Sequence, residues 1–134
     1  MACTTERTTP EMTGLPAFPV AASTKIYKGS LVALNAGYAV PASTATGLVA
    51  LGRARDTVDN SAGLAGAKSV EVDPGTFRWA NSSSTDEITQ AEVGSDCYIV
   101  DDQTVAKTSG TNTRSVAGKV VAVDAIGVYV KSGL

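Results

Sequence analysis

Histidine is absent from this sequence, and its absence restricts the possible chemistry more than any other feature of the composition. Histidine is the usual general base near neutral pH and the commonest metal ligand. Ser-His-Asp and Cys-His catalysis are therefore excluded, as is a histidine-ligated zinc site. We expect no enzymatic activity, no cofactor and no structural metal.

Cysteine is scarce as well. Cys3 and Cys97 are the only two and lie far apart in the chain, which excludes a four-cysteine metal site. A disulfide between them is conceivable, but we expect two free thiols in a protein made in a cytoplasm. The first seven residues lack the basic and then apolar pattern of a secretion signal.

The chain has neither an excess of positive charge nor a long apolar run. Its 11 Lys and Arg residues are scattered and are outnumbered by 13 Asp and Glu, for a net charge of −2. A protein that binds nucleic acid usually carries a basic patch, so we expect no nucleic-acid partner. No run approaches the roughly 18 apolar residues that cross a bilayer, so we expect no membrane partner.

What the sequence does contain is turn residues and short apolar segments. Its 134 residues are enough for one domain with a substantial core, and 13 of them are glycine. Turn signals recur about every 8–12 residues, which is typical of a β-sandwich or small β-barrel. We therefore predict a mainly β domain over residues 15–134. One short helix near residues 85–93, with Thr85 as its N-cap, is the only helical prediction.

Three local patterns predict particular strands. Residues 31–34 and 38–40 flank Asn-Ala-Gly and predict a hairpin. Residues 68–72 and 76–80 flank Asp-Pro-Gly, a strong turn signal, and predict a second hairpin. The apolar run at residues 48–54 predicts a buried strand in which Gly52 marks a bulge or a close approach of another chain segment.

Residues 1–14 follow neither helical nor strand periodicity and are rich in threonine, which favours extended backbone. They form either a frayed terminus or a flexible arm that becomes ordered against a partner, for example by adding a strand to the edge of a neighbouring sheet. On the second interpretation, the candidate interface residues are Thr4, Thr5, Glu6, Arg7, Thr8, Thr9 and Phe18.

Candidate catalytic and metal-binding motifs fail on spacing or composition. Gly118-Lys119 lacks the preceding glycine and the following Ser or Thr of a phosphate-binding loop. Asp56, Asp59 and Asn60 could contribute to a calcium site, but their spacing is not that of an EF-hand. We predict instead that six aspartates cap turns: Asp56, Asp59, Asp73, Asp101, Asp102 and Asp124. Phe77 and Trp79 are predicted to be core or interface anchors.

Three stretches resemble a known family: VAASTKIYKGSLVAL at residues 20–34, LGRA with TVDNSAG at residues 51–54 and 57–63, and CYIVDDQTVA with RSVAGKV at residues 97–106 and 114–120. Together they are similar to the small head protein of tailed, Mu-like bacteriophages, a capsid decoration (cement, or minor capsid) protein. The resemblance covers residues 15–130.

The resemblance implies a structural virion protein on the exterior of the phage head, made in the host bacterial cytoplasm. Its partner would be the major capsid protein, whose subunits it would bridge and stabilise, and it would form a homo-oligomer, a trimer, on the shell. Two alternatives are left open: a tail-tube or head–tail connector subunit, and a small hydrolase, which the missing histidine disfavours.

Overall fold

Short β-strands make up almost all of the regular structure in the computed structural model, which describes residues 1–134. This confirms the predicted mainly β fold. The strands are β1 (Phe18–Pro19), β2 (Thr24–Ile26), β3 (Leu31–Asn35), β4 (Tyr38–Pro41), β5 (Val49–Ala54), β6 (Val58–Asn60), β7 (Ser69–Val70), β8 (Val72–Asp73), β9 (Gly75–Trp79), β10 (Asp96–Ile99), β11 (Val105–Ala106), β12 (Val116–Val123) and β13 (Val128–Ser132). No helix is long and apolar enough to span a bilayer.

Antiparallel pairing arranges these strands into two larger sheets and two short ladders. The five-stranded sheet has the order β11-β10-β12-β13-β9, and the four-stranded sheet has the order β4-β3-β5-β8. The short ladders pair β1 with β7 and β2 with β6. Neighbours in sequence are often not neighbours in a sheet, so most of the pairing is non-local.

Two hydrophobic cores lie on opposite faces of the four-stranded sheet. The first core contains 12 buried residues and joins this sheet to the five-stranded one. The second core contains 8 and joins it to the short ladders. Successive side chains of a strand point to opposite faces, so Leu31 and Ala33 enter the first core and Val32 enters the second. This explains why β3 begins with three fully buried residues in a row.

A bulge at Leu51-Gly52 adapts β5 to this arrangement, as predicted for Gly52. The pairing with β3 shifts so that Val32 faces Gly52 while Ala33 faces Ala50, which leaves Leu51 as the extra residue. A Cβ on Gly52, whose φ is +139°, would lie 2.1 Å from the carbonyl oxygen of Asp73. Glycine at this position therefore permits the close approach of β8.

The first predicted hairpin is confirmed and the second is wrong. β3 pairs with β4 around Ala36 and Gly37, which both have positive φ. The strands on either side of Asp-Pro-Gly do not pair with each other: β8 joins β5, and β9 joins β13. Val72 belongs to the second core and Trp79 to the first, so the turn carries the chain from one sheet to the other.

The predicted helix near residues 85–93 is replaced by two single 3₁₀ turns, Ser84–Asp86 and Gln90–Glu92. Thr85 is not an N-cap; Thr89 caps the second turn and shares a capping box with Glu92. Between the turns Ile88 is buried in the first core, and its backbone N–H and C=O bond to the side chain of Asn81 at 2.9 and 2.8 Å. A continuous helix through these residues would remove Ile88 from its buried position and break its two hydrogen bonds to Asn81.

Candidate interaction surface

The predicted arm, residues 1–14, lies outside every strand and is exposed along its whole length. Six candidate interface residues lie on it without a backbone or side-chain hydrogen bond to the rest of the chain: Thr4, Thr5, Glu6, Arg7, Thr8 and Thr9. The structure thus places these six together on one accessible segment. Whether the arm is flexible in the free protein stays a prediction.

Phe18, the seventh candidate, occupies a different environment. It lies in β1 opposite Val70, is half-buried, and packs against the second core. Phe18 therefore helps to attach the start of the domain to the second core. The other six candidates are exposed and make no hydrogen bond to the domain. The sequence alone does not separate the two environments, because the pairing of β1 with β7 that buries Phe18 joins residues about fifty positions apart.

The base of the arm lies beside a cluster of ion pairs at the edge of the four-stranded sheet. A cavity of about 290 Å³ is lined on one side by residues 13–15 and Ala17, and on the other by Arg55 and residues 71–74. Arg55 donates from Nε to Asp73 at 2.8 Å and from Nη1 to Glu71 at 2.9 Å. These hydrogen bonds, first that to Glu71 and then that to Asp73, raise the pKa of Arg55.

The outer face of the five-stranded sheet carries a row of charged side chains. Asp96 faces Lys119, Lys119 faces Lys131, and Lys131 faces Thr76 across four neighbouring strands. Asp96 forms an ion pair with Lys119 at 2.7 Å. Lys131 has no ion-pair partner and lies directly opposite another lysine, an arrangement that costs stability in a sheet. The fold itself therefore gains nothing from the charge of Lys131.

Next to Lys131, an apolar groove of about 270 Å³ runs between the two large sheets. We call it the β5–β12 groove, and its lining includes Leu48, Val49, Ala50, Val116, Ala117 and Lys131. Val49 and Val116 remain 46% and 42% exposed. Sequence analysis missed this groove because its two walls are far apart in the chain and both read locally as apolar strands.

The predicted turn aspartates divide into two groups. The carboxylates of Asp59, Asp101 and Asp124 accept backbone hydrogen bonds within their own turns, as predicted. The prediction is wrong at Asp56 and Asp102, which make no such bond, and at Asp73, which pairs with Arg53 and Arg55.

Two of the three residues considered for a calcium site, Asp59 and Asn60, are used by the fold. Hydrogen bonds from Ser61 lower the pKa of Asp59. The Asn60 amide is buried and donates to the carbonyl oxygens of Ala21 and Leu64 at 3.0 and 3.1 Å. No group of three or more His, Cys, Asp or Glu side chains lies close enough to hold a metal ion.

Both cysteines are free, and they differ in environment. Cys3 lies on the arm and is exposed, whereas Cys97 is buried in the first core. Burial is the main cause that raises the pKa of the Cys97 thiol, to about 12. A thiol in this state is a poor nucleophile because the reactive species is the thiolate.

Comparison of the chain with models of protein families, with curated proteins and with solved structures yields no match. The features available for function are therefore those of the molecule itself: an exposed arm, a sheet face with an unpaired lysine, and an apolar groove between the sheets.

Proposed function

We propose that this protein is a capsid decoration protein, which binds the outer surface of a phage head and stabilises contacts between major capsid protein subunits. The observation that carries the proposal is the contrast between residues 1–14, which make no hydrogen bond to the domain, and the two-core β domain that follows. The resemblance of residues 15–130 to phage head proteins supports the same role.

The length of the arm suits a bridging function. A fully extended segment of this length reaches roughly 46 Å, at about 3.3 Å per residue. The arm can therefore contact a neighbouring subunit whose surface lies within that distance of the domain. A protein attached to two subunits at once stabilises their association, because separating them must also break its own contacts. Many copies on one shell make a modest affinity per copy sufficient.

The energetics limit how the arm can bind. Ordering costs about 1–2 kcal/mol per residue in backbone entropy. Exposed ion pairs of Glu6 and Arg7 would contribute only about 0–1 kcal/mol each to the binding free energy. Backbone hydrogen bonds and apolar contacts must therefore supply most of the affinity. The extended preference of Thr4, Thr5, Thr8 and Thr9 reduces the ordering cost.

Deletion of residues 2–13 tests the role of the arm. We expect the truncated protein to keep its thermal unfolding midpoint, because the arm contributes no buried residue. We expect it to bind undecorated heads more weakly than the full chain in a co-sedimentation assay. A matched control replaces residues 2–13 with glycine and serine; if the arm acts through its own side chains and backbone preference, this variant is weakened as well.

Two outcomes would contradict the proposal. Truncated protein that binds heads as tightly as the full chain would show that the arm is only a frayed terminus. Electron microscopy can locate the label on the particle: label at one vertex or along the tail, and not over the head faces, would favour a tail-tube or connector subunit instead.

A further inference from the structure

The outer face of the five-stranded sheet stays exposed in the folded chain. Successive side chains of a strand alternate between the two faces of a sheet. Val120 and Val130 point inward and are buried in the first core, so their neighbours Lys119 and Lys131 point outward, where both are exposed. This face therefore presents its charged side chains to a partner and not to the rest of the domain.

Cations outnumber carboxylates on the strands of this face. Arg78 belongs to it as well, because it lies in register with Tyr129, two residues before Lys131. Together with Lys119 it raises the number of cations to three, against Asp96 as the one carboxylate. The whole chain, in contrast, has 13 acidic and 11 basic residues. The positive charge of this face is thus a local feature of an acidic protein.

The carboxylates near the face leave Lys131 unpaired. Asp96 is bound to Lys119 at 2.7 Å. Asp124, in the turn after β12, lies near Arg78, but its carboxylate accepts two backbone N–H groups of its own turn at 2.8 and 2.9 Å. Lys131 lies directly opposite Lys119, and like charges in this position destabilise a sheet. A carboxylate supplied from outside and close to both lysines would remove this repulsion.

A cavity of about 530 Å³ lies where such a carboxylate would bind. Both lysines line it, together with Pro74, Gly75 and residues 132–134. Beside it the face offers apolar and aromatic surface: Val116 and Val121 are 42% and 47% exposed, and Tyr98 and Tyr129 are half-buried. Tyrosine and arginine are enriched at protein–protein interfaces, so this composition is typical of a surface that binds another protein.

We propose that the outer face of the five-stranded sheet binds an acidic surface of a partner protein, with one partner carboxylate in the cavity beside Lys119 and Lys131. The charge of the face favours an acidic partner. A nucleic acid would need cations along a continuous track of phosphates, whereas this face has only three cations and two exposed valines. The inference rests on the decoration function proposed above for the identity of the partner, the capsid shell, and names the surface by which the domain itself attaches.

Charge reversal at Lys131 separates binding from folding. Lys131→Glu places a carboxylate opposite Lys119, so we expect a thermal unfolding midpoint equal to or above that of the wild type. In co-sedimentation with undecorated heads, we expect the same variant to bind more than about fivefold more weakly, since reversal replaces attraction with repulsion. Lys131→Gln, which only removes the charge, should give an intermediate affinity. The matched control is Lys28→Glu, at an exposed lysine outside this sheet, which should bind as the wild type does.

Two probes of equal charge test the class of partner without heads. An oligoglutamate peptide should shift the amide NMR signals of residues 117–121 and 129–133, and added salt should reverse the shifts. An oligothymidylate of the same charge should shift them less. In Lys131→Glu the response to the peptide should be lost.

Each failure has its own meaning. Equal head binding by Lys131→Glu and by the wild type would overturn this inference and leave the decoration function standing. Wild-type protein that responds to the peptide but does not bind heads would contradict the decoration function and support the acidic-partner surface. Larger shifts with oligothymidylate than with the peptide would overturn the protein partner in favour of a nucleic acid.

Discussion

The first and second cores border the same four-stranded sheet, yet they are covered very differently. The five-stranded sheet closes the first core and contributes large side chains such as Trp79 and Ile99. The second core is closed by two ladders of two and three residue pairs and by the half-buried Phe18. Stability therefore concentrates in the first core, while the second core anchors the base of the arm.

Removing a large side chain from the first core should have the greatest effect. We expect Ile99→Ala to lower the free energy of unfolding by about 2–5 kcal/mol, because it leaves a cavity in a fully buried site. Chemical denaturation measures the loss. Ile126→Ala is the matched control, since Ile126 is 71% exposed and its truncation should change stability by less than about 0.5 kcal/mol. Equal losses would contradict a dominant first core.

Because the first core excludes water from Cys97, the free energy of unfolding should depend on pH in the alkaline range. Burial raises the pKa of Cys97 in the folded protein from an ordinary value of 9.0 to about 12. Below pH 9 the thiol is protonated in both states, so its contribution is fully present. As pH rises from about 9 to about 12, only the unfolded state ionises, and the free energy of unfolding falls.

Urea unfolding over this pH range measures the fall, and Cys97→Ala removes the part due to the thiol. We therefore expect the alanine variant to lose less stability between pH 9 and pH 12 than the wild type. Identical slopes would show that Cys97 reaches solvent and that the first core is not closed at β10.

Truncation of a side chain in the second core should lower the free energy of unfolding by less, and it should loosen the structure mainly around β1. We expect Phe18→Ala to lower the free energy of unfolding by about 1–2 kcal/mol, because Phe18 is only half-buried. Hydrogen exchange should speed up in residues 18–20 and 68–70, where β1 and its neighbours pair, and stay unchanged in β12 and β13. Faster exchange in the five-stranded sheet would mean that the two cores unfold as one unit.

Sequence analysis succeeded where the signal lies within a few residues. The hairpin at residues 31–41 requires two residues of positive φ; Gly37 adopts one readily, and Ala36 adopts the other although its Cβ disfavours it. Gly52 likewise marks a place where only a hydrogen atom fits. The positive φ of Gly37 and Gly52 is a property of the single residue, so a glycine in the sequence indicates it directly, although the partner that approaches Gly52 is set by the tertiary structure.

The failures have a common cause in non-local packing. Asp-Pro-Gly produces a turn wherever it occurs, but its local conformation does not decide whether the flanking strands pair with each other or with β5 and β13. Residues near Ile88 have helical spacing, yet burial of Ile88 and its two bonds to Asn81 interrupt the helix. Interactions between distant residues outweighed the local preference at both places.

The properties of the candidate interaction surface likewise fall into local ones, which the sequence determines, and non-local ones, which it does not. The sequence by itself determined the absence of histidine chemistry, the mainly β architecture and the exposed, threonine-rich arm, because composition and local backbone preference are properties of single residues and their neighbours. Only the tertiary structure decided that Phe18 belongs to the second core, that Lys131 lacks a partner, and that residues 48–50 and 116–117 form one groove. Those properties depend on which strands pair, and pairing is selected by the burial of two whole cores.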